Sequence, residues 1–82
     1  DPRAAADPEK MMKARQFDAA VRSAMETLTH KQRMIFHLKV FEELRISEIA
    51  AIMEMAEGTV KSHLFRATQT LRKQLKNWID GE

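Results

Sequence analysis

The sequence predicts an all-α fold, a compact four-helix domain with a C-terminal helix-turn-helix. Apolar residues recur at three-or-four spacing in four successive segments, only two glycines and two prolines interrupt the 82 residues, and no stretch shows the alternation of a half-buried strand. At 44% hydrophobic and 32% charged residues, the chain can close one small core and is too apolar for a disordered tail. The lack of cysteine excludes a disulfide framework and any thiolate metal site, so packing must supply the stability.

The first helix is expected over roughly residues 8 to 27. Asp7 offers a capping side chain, Pro8 suits the first helical position, and Ala14, Phe17, Val21, Met25 and Leu28 form the apolar row. Thr29 and Gln32 make a capping box for a short second helix that carries Met34, Ile35, Leu38 and Phe41 and ends near Glu42-Glu43. Ile46, Ile49, Ala50 and Met53 define a third helix of about two turns, stopping near Met55-Ala56. From Gly58, the residues Val60, Leu64, Ala67, Leu71, Leu75 and Trp78 trace one face of a long last helix, with Asp80-Gly81 as its expected end. Residues 1–7, with Ala4-Ala5-Ala6, read as the remnant of an interdomain linker; the domain proper is 8–79, and 80–82 form a tail. An N-terminus of Asp1-Pro2-Arg3, without initiator or apolar stretch, suggests a piece of a longer protein, and no apolar run reaches the roughly 18–20 residues of a membrane span.

The formal net charge of +2 conceals an asymmetry. No acid lies between Glu57 and Asp80, whereas Lys61, Arg66, Arg72, Lys73 and Lys76 are all basic. At about 100° per residue, Ser62, Arg66, Gln69, Lys73 and Lys76 gather opposite the apolar stripe, with Phe65 and Arg72 on one flank. A solvated face would explain the cations but not Phe65, which stands roughly 140° from the centre of the stripe. An apolar contact to a thymine methyl or to a sugar would explain it. Ile49-Ala50, followed by Val60 ten residues after the alanine, is the spacing of a helix-turn-helix, whose second helix enters the major groove N-terminus first. Glu54 stands where many such turns carry glycine.

With these residues in place, the stretch Leu28 to Leu75 resembles the fourth region of bacterial sigma factors, nearest to the extracytoplasmic-function group. The carriers are Leu28, Arg33, Ile35-Phe36 and Leu38, then Glu48-Ile49-Ala50, Gly58-Thr59-Val60-Lys61-Ser62, Phe65-Arg66-Ala67 and Leu71-Arg72. Thr59 to Leu64 also resembles the DNA-binding domain of LuxR/NarL-type response regulators. The interval from Leu28 to Glu48 is one residue too long for that rival, which also needs a further short helix where this sequence stops.

The sigma resemblance implies a module that docks double-stranded promoter DNA at the minus-35 element. Other surfaces would grip RNA polymerase core through its β-subunit flap, or an anti-sigma factor, in the cytoplasm. It implies base and adjoining phosphate contacts at Lys61, Ser62, His63, Phe65 and Arg66, and phosphate contacts at Arg45, Ser47, Gly58, Thr59, Gln69, Arg72 and Lys73. The sequence departs from the pattern at Thr29 for proline, Glu43 for glycine, Arg45 for a capping serine, and His63 and Thr68 for arginine. His63 exchanges a permanently charged fork for an imidazole ring. A second reading, of another class, makes the chain mainly a protein-interaction module for the anti-sigma factor or the flap.

No cofactor, metal or enzymatic activity is expected. His30, His37 and His63 are too far apart for a helical metal pair, and Glu42-Glu43 has no nucleophile or glycine-rich loop beside it. Most of the six methionines should fill the core, while Met11, Met12 and Met55 fall at the edges of the stripes and suit an adaptable partner surface.

Overall fold

A computed structural model describes residues 7–80, and these are entirely helical apart from short connections. Helix α1 spans Pro8–Glu26, α2 His30–Phe36, α3 Ile46–Met53, α4 Glu57–Gln74 and α5 Lys76–Ile79. Residues 1–6 of the expected linker 1–7, and residues 81–82 of the expected tail 80–82, lie outside the described residues. No described helix is long and apolar enough to cross a membrane.

Each start has a local cause. The Asp7 carboxylate accepts from the backbone N–H of Glu9 at 3.0 Å and of Lys10 at 3.4 Å, with Pro8 opening α1. Thr29 and Gln32 close the expected capping box, the Gln32 N–H donating to Thr29 Oγ1 at 3.2 Å and the Thr29 N–H to Gln32 Oε1 at 3.4 Å. At Arg45 the box is half made: its N–H donates to Glu48 Oε1 at 2.8 Å, but a guanidinium has no acceptor to return. The missing serine therefore costs α3 one cap without preventing it from starting.

The two glycine-replacing glutamates share one backbone solution. Glu54 and Glu43 lie in the left-handed region at φ 54° and 56°. After α3, the Glu54 N–H bonds Ala51 O at 3.4 Å and the Met55 N–H bonds Ala50 O at 3.1 Å, the paired bonds of a Schellman ending with glutamate in the glycine position. The ending at Glu43 is one residue wider, because α2 runs on as a π-helical turn over His37–Phe41. There the Glu42 N–H reaches His37 O at 3.2 Å and the Leu44 N–H reaches Leu38 O at 3.1 Å.

Several expected core positions are corrected. Ile35 is buried as expected and Leu38 half-buried, but Met34 is exposed, and the extra residue of the π turn carries Phe41 out to an exposed position. Ala14 and Phe17 are exposed because the first three turns of α1 run beyond the core. The radius of gyration, 15.3 Å against about 12 Å for a compact chain of this length, reflects that extension. The last helix breaks at Leu75 (φ −103°, ψ 18°) before α5, leaving Trp78 exposed with its ring 5.5 Å from that of Phe17. Met55 belongs to the core rather than to a free surface.

Two clusters form that core, both on α4. Ile35, Ile49, Ala50 and Val60 join α2, α3 and the start of α4, with Met53, Met55 and Leu64 packed around them. Ala24, Leu28, Ala67, Leu71 and Leu75 join the end of α1 to the rest of α4.

Candidate nucleic-acid interface

The N-terminal half of α4 is fixed by Val60, which is fully buried against Ile35 and Ile49. That anchor turns the opposite face outward. Lys61, Ser62, Phe65, Arg66 and Gln69 are all exposed and together line a shallow concavity of about 510 Å³. Gly58 and Thr59 lie in the exposed first turn of α4, Arg72 and Lys73 in its exposed last turn. Arg45 and Ser47 open α3, also exposed.

The cations of this face are unneutralised within the chain. Among the described residues the ion pairs are Lys13–Glu9 at 3.9 Å and His37–Glu42 at 3.3 Å, so Lys61, Arg66, Arg72, Lys73 and Lys76 have no carboxylate partner. Thr68 does not extend the polar face outward, because its hydroxyl donates to Leu64 O at 2.8 Å within the helix. A Cβ added to Gly58 would meet nothing within 4 Å, so no packing inside the molecule requires glycine there.

His63 differs from its neighbours. Its ring is half-buried on the flank of α4, and Nδ1 is enclosed without a hydrogen-bond partner. The structure thus brings Lys61, Ser62, Phe65, Arg66 and Gln69 together on one surface and sets His63 at its edge.

A second surface was only partly visible in the sequence. An apolar groove of about 440 Å³ runs between α1, the π turn and the C-terminal half of α4, lined among others by Phe17, Val21, Val40, Phe41, Leu71 and Leu75. Arg72 stands on its rim as well as on the basic face. The signal in the sequence was an apolar row on α1 extending beyond any partner helix, with Val40-Phe41 adjacent at a helix end. Among the described residues, no three His, Asp or Glu side chains are grouped to hold a metal ion.

The family model for sigma-70, region 4, matches residues 18–71. The chain is 41% identical over 58 residues to the RNA polymerase sigma-E factor of Streptomyces antibioticus, covering 71% of this chain and 32% of that protein. It is 33% identical over 69 residues to the RNA polymerase sigma-H factor of Pseudomonas aeruginosa, covering 84% and 36%. It is 33% identical over 73 residues to the ECF RNA polymerase sigma-E factor of Escherichia coli K12, covering 89% and 38%. The chain therefore spans about a third of the length of these curated relatives.

Proposed function

The chain belongs to the sigma-70 region 4 family, and from that premise we propose that this DNA-binding domain reads the minus-35 element of promoters and, in the cytoplasm, attaches its parent sigma factor to RNA polymerase core. The observation that carries the reading is helix α4, free of acids after Glu57, whose concavity of Lys61, Ser62, Phe65, Arg66 and Gln69 faces away from the core that fixes its angle. The functional domain is taken as residues 8–79.

In this reading α4 enters the major groove with Lys61, Ser62, Phe65 and Arg66 toward bases and adjoining phosphates, and His63 at the edge of that contact. Arg66 suits a guanine, whose O6 and N7 accept a forked guanidinium. The exposed amides of Gly58 and Thr59 favour a phosphate at the start of the helix. Gln69, on the face itself, and Arg45, Ser47, Arg72 and Lys73, which flank it, suit phosphate contact. The LuxR/NarL alternative falls with the family match.

Binding of the 82-residue chain to a duplex selected from a random pool, followed by fluorescence anisotropy, tests the reading. Neutralising about five phosphates should give a log–log salt slope of roughly −4 to −5. Arg66→Ala should weaken binding and relax preference at one base pair, by about 1–3 kcal/mol. Equal affinity for all duplexes, or a flat salt response, would reject it. Gly58→Ala is a sharper probe of phosphate approach: open space makes it harmless to the fold, so lost affinity would report on the DNA side alone.

A second reading rests on the apolar groove. It suits a helix of the polymerase β-subunit flap or of an anti-sigma factor, and in that role the chain acts as a protein-interaction module. Capture of polymerase core that survives Arg66→Ala but is lost with Phe41→Ser supports it; no capture by the wild-type chain would sink it.

A further inference from the structure

We propose that Trp78 is a positioning residue for the apolar groove: its ring, seated on Phe17, holds α5 so that Ile79 forms one end wall of that groove. This rests on the second reading above, in which the groove docks a partner helix, and names the part of the chain that shapes the site.

Leu71, Leu75 and Trp78 share one stripe in the sequence, and an unbroken α4 would keep all three on one face. The break at Leu75 (φ −103°, ψ 18°) ends that run. Beyond it α5 closes its own turn, the Ile79 N–H donating to Leu75 O at 3.0 Å and the Asp80 N–H to Lys76 O at 2.8 Å. Four residues without a side-chain cap do not hold a helix in place by local bonds, so a contact elsewhere must fix its direction. Neither Trp78 nor Ile79 belongs to the two core clusters. The tie to α1 is the edge-to-face contact of Trp78 with Phe17, ring centroids 5.5 Å apart and planes at 67°.

That tie sets the end of the groove. The lining passes from Phe17 on α1, across Phe41, to Leu71 and Leu75, and it includes Ile79 but not Trp78. Ile79 is 58% exposed, an apolar side chain that serves the groove rather than the core. Trp78 therefore acts through its neighbour. With its ring on Phe17, Ile79 stands in the lining; with the ring released, a four-residue helix has nothing to keep that side chain there. The two rings are each 42% exposed, so the pair contributes little to the core, and removing it alters the groove more than the fold.

The clasp itself is tested without a ligand. Trp78 is the one tryptophan of the chain, so its fluorescence reports on α5 alone, and its quenching by acrylamide should rise in Phe17→Ala. Equal quenching would overturn the proposal. The groove is probed with the anionic dye anilinonaphthalene sulfonate, which brightens in apolar sites and whose sulfonate suits Arg72 on the rim. Trp78→Ala and Ile79→Ser should each weaken dye binding by the 82-residue chain about threefold to fivefold, as expected for losing part of one apolar side-chain contact. The double variant should lose no more than either single one, because both changes remove the same wall. Trp78→Phe, which keeps a ring for Phe17, should restore wild-type affinity, and the melting temperatures of all these variants should lie close to that of wild type. Losses that multiply in the double variant, or wild-type dye binding by Trp78→Ala, would overturn the proposal. No dye binding by wild type, or binding that Phe41→Ser leaves unchanged, would instead reject the groove reading beneath it and the end wall with it.

Discussion

The two halves of α4 are held by different kinds of packing. The N-terminal half sits in a sealed cluster of β-branched residues, where Ile35, Ile49 and Val60 have 0% exposure. The C-terminal half packs through Ala67, Leu71 and Leu75 against Ala24 and Leu28, and its flank stays open as the apolar groove. One helix thus carries a firmly oriented polar and basic face at one end and an unfilled apolar surface at the other. Stability and docking capacity are divided along its length.

Five substitutions would break or sharpen that contrast. Ile49→Ala in the sealed cluster should cost about 3–4 kcal/mol in urea unfolding, whereas Leu75→Ala, at 8% exposure beside the groove, should cost about 2 because its neighbours can relax into open space. Equal losses would mean that the two halves are packed alike. Glu54→Gly should stabilise by about 1 kcal/mol, since glycine takes the left-handed conformation without strain and this gain exceeds the added freedom of the unfolded chain. A lowered urea midpoint would show that the turn is not left-handed in solution. Thr29→Ala should remove a little under 1 kcal/mol by opening the capping box of α2, read as a small drop in melting temperature. Phe41→Ser, on the groove, should change stability by less than about 0.5 kcal/mol. A large loss there would show the groove to be closed core.

The features read correctly from sequence were those decided within one or two turns. The caps at Asp7 and Thr29 and the stripe through Val60, Ala67, Leu71 and Leu75 depend on neighbours three or four residues away, and a 3.6-residue period reports them directly. That Lys61, Ser62, Phe65, Arg66 and Gln69 share one exposed surface was legible for the same reason, because removing the apolar stripe from α4 leaves them as the remainder. The π turn over His37–Phe41 was not legible: no residue in it breaks the 3.6-residue period, and its extra residue displaces only the end of the stripe, at Phe41. The exposure of Phe17 depends on where the partner helices stop, which no local period encodes. Likewise, nothing in Ser62-His63-Leu64 announces that the histidine ring turns half inward.

Arg72 belongs to two surfaces at once, the last turn of the basic face and the rim of the apolar groove. Any ligand that draws on its guanidinium from the groove side withdraws it from the other. Occupancy of the two surfaces is then thermodynamically linked, and the factor by which one weakens the other must be the same in both directions. A groove partner carrying an acid near this rim would act as a release mechanism, and one that leaves Arg72 untouched would be indifferent to whether the opposite face is engaged.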